Sequence, residues 1–124
     1  MQRVIAQAHQ WLARIFLADL LLQFYLASTP IFGAGSFQPH RMLGAALTLI
    51  VFLFPLLAVT GRLGRQLIGL SILLVVLTIV QIMLPSLRGA APWIAALHPL
   101  NALVLMGMSA RIGRMGRAEA QHVN

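Results

Sequence analysis

The chain has 124 residues, of which 60% are hydrophobic and only 9% are charged. Such a composition lacks the polar surface that a water-soluble globule needs, so it excludes an ordinary soluble domain and predicts an integral membrane protein. The net charge of +7 would suggest a nucleic-acid partner in a soluble protein, but here the arginines flank apolar segments and report topology, and no nucleic-acid partner is expected. Because the chain contains no cysteine, thiol–disulfide chemistry and covalently attached c-type haem are both excluded.

Four apolar stretches are each long enough to cross a bilayer as a helix, which needs about 20 residues. They cover approximately residues 15–32, 40–60, 67–85 and 98–115. In front of them, residues 1–14 place apolar side chains at helical spacing, which predicts an amphipathic lead-in helix at the membrane interface. Almost no chain remains outside these segments. We therefore expect a single all-α domain, a transmembrane four-helix bundle embedded in the lipid bilayer.

The arginines lie mainly on one side of this predicted topology. Only Arg41 and Arg88 fall on the other side, at or near the first and third connections. By the positive-inside rule the arginine-rich side is cytoplasmic, so both termini are expected inside the cell. The residues that define the inner side are Arg3, Arg14, Arg62, Arg65, Arg111, Arg114 and Arg117.

A shift of 58 residues superimposes the chain on itself. Gln23 is followed by His40 after 17 residues, and Gln81 is followed by His98 after the same interval. This pattern predicts two repeated helix pairs related by an axis along the membrane normal, with both histidines at the same depth. The two glutamines are expected to bond to backbone groups or to each other.

The paired histidines are the main candidates for a functional site. His40 and His98 are predicted to be axial ligands to a b-type haem near the outer leaflet, since diagonal helices of a bundle stand about 13 Å apart. Four residues after each histidine come Gly44 and Ala102, whose small side chains would let a flat macrocycle approach the backbone.

The two outer arginines extend this predicted site. Arg41 and Arg88 are candidates to pair with the haem propionates. The alternative for both histidines is an interfacial position at a helix start, where imidazole is half in water; Pro39 and Pro99 fit the first turn of such helices. His9 and His122 lie in polar segments and are expected to be solvated.

The acid inside the first span, Asp19, has two interpretations, because an ionisable group at that depth is costly. One is a contact to a proton path or a quinone. The other, which we favour, is a hydrogen bond to Ser71 or Thr78, or an ion pair with Arg14.

The segments LLLQFYLA…QPHRMLGAAL and IVQIMLP…AALHPLNALVL resemble a family of small four-helix bacterial membrane proteins of unassigned function. They also resemble, more weakly, one four-helix half of haem A synthase, where a glutamine in an odd helix precedes a haem-binding histidine at the start of the next. That resemblance implies haem ligation for His40 and His98 only, because the chain is half the length of the enzyme and lacks its intramembrane glutamate beside a histidine.

Two kinds of function are compatible with these features. The first is a b-type haem protein of the bacterial inner membrane, without catalytic activity of its own, that transfers electrons or anchors a larger membrane complex, or acts as a homo-oligomer. The second is a structural subunit of a respiratory or photosynthetic complex that binds a chlorophyll-type pigment or no cofactor. A small transporter or channel is disfavoured, since only one acid lies within a span.

Overall fold

The computed structural model of the protein describes residues 1–122, and the side chains of residues 1–116. Within that part of the chain all regular structure is helical. A 3-10 helix, Leu84–Gly89, lies between α4 and α5. The six α-helices are α1 (Gln2–Ile31), α2 (Gln38–Ile50), α3 (Leu53–Thr60), α4 (Gly64–Met83), α5 (Pro92–Ala95) and α6 (His98–His122).

These helices form four columns that are long and apolar enough to cross a membrane, and we number them spans 1 to 4. They are Gln2–Ile31, Gln38–Thr60, Gly64–Gly89 and Pro92–Gly116. Each exceeds the roughly 20 residues needed to cross the hydrocarbon core of a bilayer. The protein is therefore a multi-pass membrane protein whose apolar surface contacts lipid.

Span 1 is one continuous helix that includes both the predicted lead-in and the first predicted span. With 30 residues it is about 45 Å long, so it extends beyond a hydrocarbon core of about 30 Å. Val4 and Trp11 of the predicted apolar face lie exposed on the surface of the bundle. The opposite face, which carries His9 and Gln10, is buried.

Span 2 is interrupted in its middle, where the sequence predicts one uninterrupted helix. Helix α2 ends at Ile50 and α3 begins at Leu53. Pro55 accounts for the break, because it has no N–H to donate to the carbonyl of Val51 and its ring crowds that carbonyl. The Val51 carbonyl instead accepts a hydrogen bond of 3.1 Å from the N–H of Phe54.

The connection between spans 2 and 3 is a tight turn packed against α1. Arg62 and Gly64 have positive φ angles of 51° and 83°, a backbone region that glycine adopts at little cost. A Cβ atom on Gly61 would lie 2.7 Å from Cγ2 of Ile5 and 2.8 Å from the carbonyl oxygen of Leu57. The predicted inner turn thus requires glycine at Gly61 for close approach to span 1.

The four spans form a closed ring in which each span packs against two others. Span 1 contacts spans 2 and 4, and span 3 contacts the same two. Spans 2 and 4 therefore stand on one diagonal of the bundle, and spans 1 and 3 on the other. The largest fully buried apolar side chains of the core are Phe16, Phe54, Leu67, Leu74, Leu105 and Ile112.

Candidate functional site

The imidazoles of His40 and His98 meet across the diagonal between spans 2 and 4. Their ring centres are 6.1 Å apart and their planes are inclined at 75°. Pro39 and Pro99 lie in the first turns of α2 and α6, where proline is compatible with a helix. Each histidine is consequently held at the start of its helix, and both rings are half-buried.

Each imidazole bonds through Nδ1 to a backbone carbonyl of the preceding span. The distance is 3.2 Å from His40 Nδ1 to the Gln23 oxygen and 2.9 Å from His98 Nδ1 to the Gln81 oxygen. A carbonyl oxygen can only accept, so each neutral ring carries its proton on Nδ1 and keeps a lone pair on Nε2. Metal-binding histidines are commonly oriented in this way, with the second ring nitrogen held by a backbone carbonyl.

The separation of the two rings matches that of two axial ligands on one metal ion. Two metal–nitrogen bonds of about 2 Å, with about 1 Å more from each nitrogen to its ring centre, would place the ring centres about 6 Å apart. Among the described residues no cluster of three or more histidine, cysteine or acidic side chains could hold a metal. The histidine pair alone would supply only two ligands, so a metal held here would need its other ligands from elsewhere, as haem iron takes them from its macrocycle.

A polar network ties His98 to span 3. The side-chain amide of Asn101 donates to the Leu77 carbonyl at 2.9 Å and to Oε1 of Gln81 at 2.8 Å. The amide nitrogen of Gln81 in turn lies 3.4 Å from Nε2 of His98. Gln81 bonds to the histidine of its own half through both its backbone and its side chain, and not to Gln23.

The corresponding network is incomplete around His40. Gln23 is 9% exposed, and its Oε1 atom is buried without a hydrogen-bond partner. Its amide nitrogen would lie 3.2 Å from a Cβ atom on Gly44. The small residue at position 44 thus leaves room for the Gln23 side chain, while Ala102 of α6 is buried. The predicted role of both residues in admitting a macrocycle stays a prediction.

The two arginines predicted on the outer side, Arg41 and Arg88, are exposed. Arg41 lines an open cavity of about 530 Å³ beside the start of α2. Arg88 lies in the last turn of the 3-10 helix. Their pairing with propionates remains a prediction. The other residues lining the cavity are Ser36, Phe37, Gln38, Met42 and Ala45.

The prediction that His9 is solvated was wrong, because α1 turns its polar face toward the bundle interior. His9 is fully buried. Its Nε2 lies 3.1 Å from Oγ of Ser71 in span 3, and its ring packs edge-on against Phe54 at 5.5 Å. In the sequence, this burial is indicated by small and polar residues that are spaced along α1 so that they share one helix face with the buried Phe16. His122 lies outside the described side chains.

The partners predicted for Asp19 were also wrong. Asp19 is partly buried and makes no hydrogen bond or ion pair among the described residues. The hydroxyl of Ser71 contacts the buried histidine, and that of Thr78 donates to the backbone of its own helix at 2.8 Å. The guanidinium of Arg14 instead stacks 4.7 Å from the ring centre of Trp11.

Comparison with known proteins bears out the expected resemblance to a family of unassigned function. A family described as of unknown function, DUF6220, matches residues 23–89, slightly more than half of the chain. The matched part includes Gln23, His40 and Gln81 and ends before His98. No curated protein and no solved structure matches the chain.

Proposed function

The chain belongs to DUF6220, a family of unknown function, and we propose that it is an integral membrane b-type haem protein with His40 and His98 as its two axial ligands. The observation that carries the proposal is the juxtaposition of the two imidazoles across the bundle, with ring centres 6.1 Å apart and planes inclined at 75°. We propose that the protein transfers electrons or anchors a larger complex and has no catalytic activity of its own.

The hydrogen bonds at Nδ1 support this assignment. They fix both rings in the tautomer whose Nε2 lone pair is available, and they increase the electron-donating strength of each ring. In His98 the lone pair faces the Gln81 amide at the long distance of 3.4 Å. A metal bond at Nε2 would replace this weak contact and leave the shorter bond to the Gln81 carbonyl in place.

The remaining site residues would hold the rest of the group. Gly44 and Ala102 lie one turn after the histidines, where small side chains would let a flat ring approach the backbone once the Gln23 side chain moves away from Gly44. Arg41 and Arg88 are exposed cations of the kind that bind carboxylates. The haem iron would supply one-electron chemistry, changing between its ferric and ferrous states.

The proposal includes a two-fold repeat and an orientation in the membrane. The equal spacing of both glutamine–histidine pairs and the diagonal position of spans 2 and 4 support two repeated helix pairs. The arginine distribution supports cytoplasmic termini in a bacterial inner membrane, with the histidines toward the outer leaflet. The short connections leave the membrane-embedded surface as the place where a larger complex or a second copy would bind.

An absorption spectrum tests the proposal directly. The protein should be purified from cells supplied with ample haem and measured before and after dithionite. We expect the spectrum of a six-coordinate low-spin b-type haem, because two neutral imidazoles are strong axial ligands. His40→Ala or His98→Ala should abolish or greatly weaken that spectrum.

The matched control is His122→Ala, which removes a histidine that has no role in the proposal. A colourless protein under these conditions would contradict haem binding and support the alternative, a structural or pigment-binding subunit without its own haem. Single variants of both histidines with unchanged spectra would keep the cofactor but contradict the assignment of its ligands.

A further inference from the structure

The two histidines are held very differently, although the 58-residue shift makes their positions equivalent. The Nδ1 atom of His98 lies 2.9 Å from the backbone carbonyl of Gln81, a bond that would stay in place when Nε2 binds a metal. His40 has a single hydrogen bond, of 3.2 Å, to the carbonyl of Gln23. One imidazole is thus anchored more firmly than the other.

One difference between the halves lies in the residue three positions after each histidine. Asn101 donates two hydrogen bonds that join α6 to α4 one turn beyond His98. The shift pairs Asn101 with Leu43, whose side chain can donate none. Without that donor, Oε1 of Gln23 is buried and has no partner. A buried acceptor without a donor is unfavourable, so this atom would gain from any donor placed beside it.

The helix that carries His40 is also less firmly packed than the helix that carries His98. Of the 13 residues of α2, only Leu47 is buried. The helix is separated from α3 by the break before Pro55, and it follows a connection in which Gly33 has a φ of 72°. Since so few side chains of α2 are buried, we expect this helix, and His40 with it, to be displaced more easily than α6.

We propose that His98 is the permanent axial ligand and His40 an exchangeable one, so that a small uncharged molecule binds on the His40 side, next to the amide of Gln23. This inference rests on the proposed haem. Carbon monoxide is a suitable probe because it binds reduced haem only where an axial position is open or exchangeable. His40 and Gln23 would then determine how readily the position opens.

Haem retention and carbon monoxide binding in single variants test the asymmetry. The reduced wild-type protein should bind carbon monoxide with a change in its spectrum. His40→Ala should keep haem in a five-coordinate form and bind the probe at least tenfold more tightly, whereas His98→Ala should lose most of its haem. Loss of haem in His40→Ala with retention in His98→Ala would overturn the inference, as would failure of the wild type to bind the probe.

Exchange of the distinguishing residues between the two halves provides a second test. Leu43→Asn supplies the missing donor for Gln23 and should weaken carbon monoxide binding roughly threefold to tenfold, the effect of about one ordinary hydrogen bond. Asn101→Leu removes the donor near His98 and should lower haem retention. Leu43→Ala is the size control and should not weaken binding of the probe. An effect of Leu43→Ala equal to that of Leu43→Asn would contradict the role of the hydrogen bond.

The haem-free protein gives an independent readout. Leu43→Asn should raise its unfolding temperature in detergent, and Asn101→Leu should lower it, because the first change satisfies a buried acceptor and the second creates one. Unchanged or opposite shifts would overturn the proposed asymmetry even if haem binds. Failure of the wild type to take up haem would overturn both proposals, whereas reversed roles of the two histidines would overturn only this one.

Discussion

The Nδ1 atom of His98 lies 2.9 Å from the backbone carbonyl of Gln81, and the same contact recurs at 3.2 Å between His40 and Gln23. The Gln23 carbonyl lies inside α1, where a carbonyl accepts one bond from its own helix and has a second lone pair available for His40. The residue four positions after Gln81 is Pro85, which has no N–H, so the Gln81 carbonyl lacks the usual helix donor and is free to accept from His98. This arrangement couples the direction of each imidazole to the backbone of a neighbouring helix, which is stiffer than a side chain.

Reporter fusions should place both termini in the cytoplasm. The reason is the excess of arginine on one side of the four spans, with only Arg41 and Arg88 on the other. A reporter active only in the cytoplasm, fused after Asn124, should be active, and one inserted at Gly35 should not. An external signal at Asn124 would contradict the orientation and would place the histidines toward the inner leaflet.

Removal of either outer arginine should leave haem bound and lower its reduction potential. A nearby cation favours the reduced, less positive iron, so its loss favours the oxidised state. For Arg41→Ala and Arg88→Ala we expect the reduction potential to decrease by an amount on the order of tens of millivolts. This change should be smaller at high salt, because both side chains are exposed and salt screens their charge. A potentiometric titration measures it, with Arg65→Ala on the inner side as the control. Equal potentials in all three variants would contradict the placement of the propionates.

Gly61→Ala should destabilise the bundle. The added Cβ would lie 2.7 Å from the Ile5 side chain and 2.8 Å from the Leu57 carbonyl, an overlap that typically costs about 1–3 kcal/mol. Thermal unfolding in detergent measures the loss. The control is Gly69→Ala, where nothing lies within 4 Å of the new atom. That variant should be neutral or slightly more stable, since alanine favours a helix. Equal effects of the two substitutions would contradict the close turn.

A double-mutant cycle on His9 and Ser71 should show coupling between spans 1 and 3. Their side chains are fully buried and 3.1 Å apart, and hydrogen bonds between membrane helices are worth about 0.6–2 kcal/mol. Ser71→Ala alone should cost more than the bond itself, because Nδ1 of His9 already lacks a partner. The free energies of unfolding of His9→Ala, Ser71→Ala and the double variant measure the coupling. Additive losses would show that the contact contributes nothing.

Hydropathy, arginine placement and helix-breaking residues were sufficient to predict the four spans, because each depends on local sequence. The pairing of His40 with His98 could also be predicted, from the equal spacing of the two glutamine–histidine pairs. The burial of His9 was not predicted, since a soluble-protein rule assigns polar faces to the outside. In a membrane the surroundings are apolar, so a polar residue is more stable inside the bundle. The contact of Arg14 with Trp11 was not predicted, because it depends on side-chain rotamers and the hydrophobic periodicity of a sequence indicates only the helix face of each residue.

The break before Pro55 divides span 2 into two helical segments, α2 and α3. The first segment, α2, carries His40, and the second segment, α3, carries Phe54 and ends at the turn against α1. We expect a backbone shift caused by a substitution at Gly61 to change the angle between α2 and α3, and not the position of the His40 imidazole. Substitutions at the Gly61 end of the bundle are therefore expected to leave the separation of the two imidazoles unchanged.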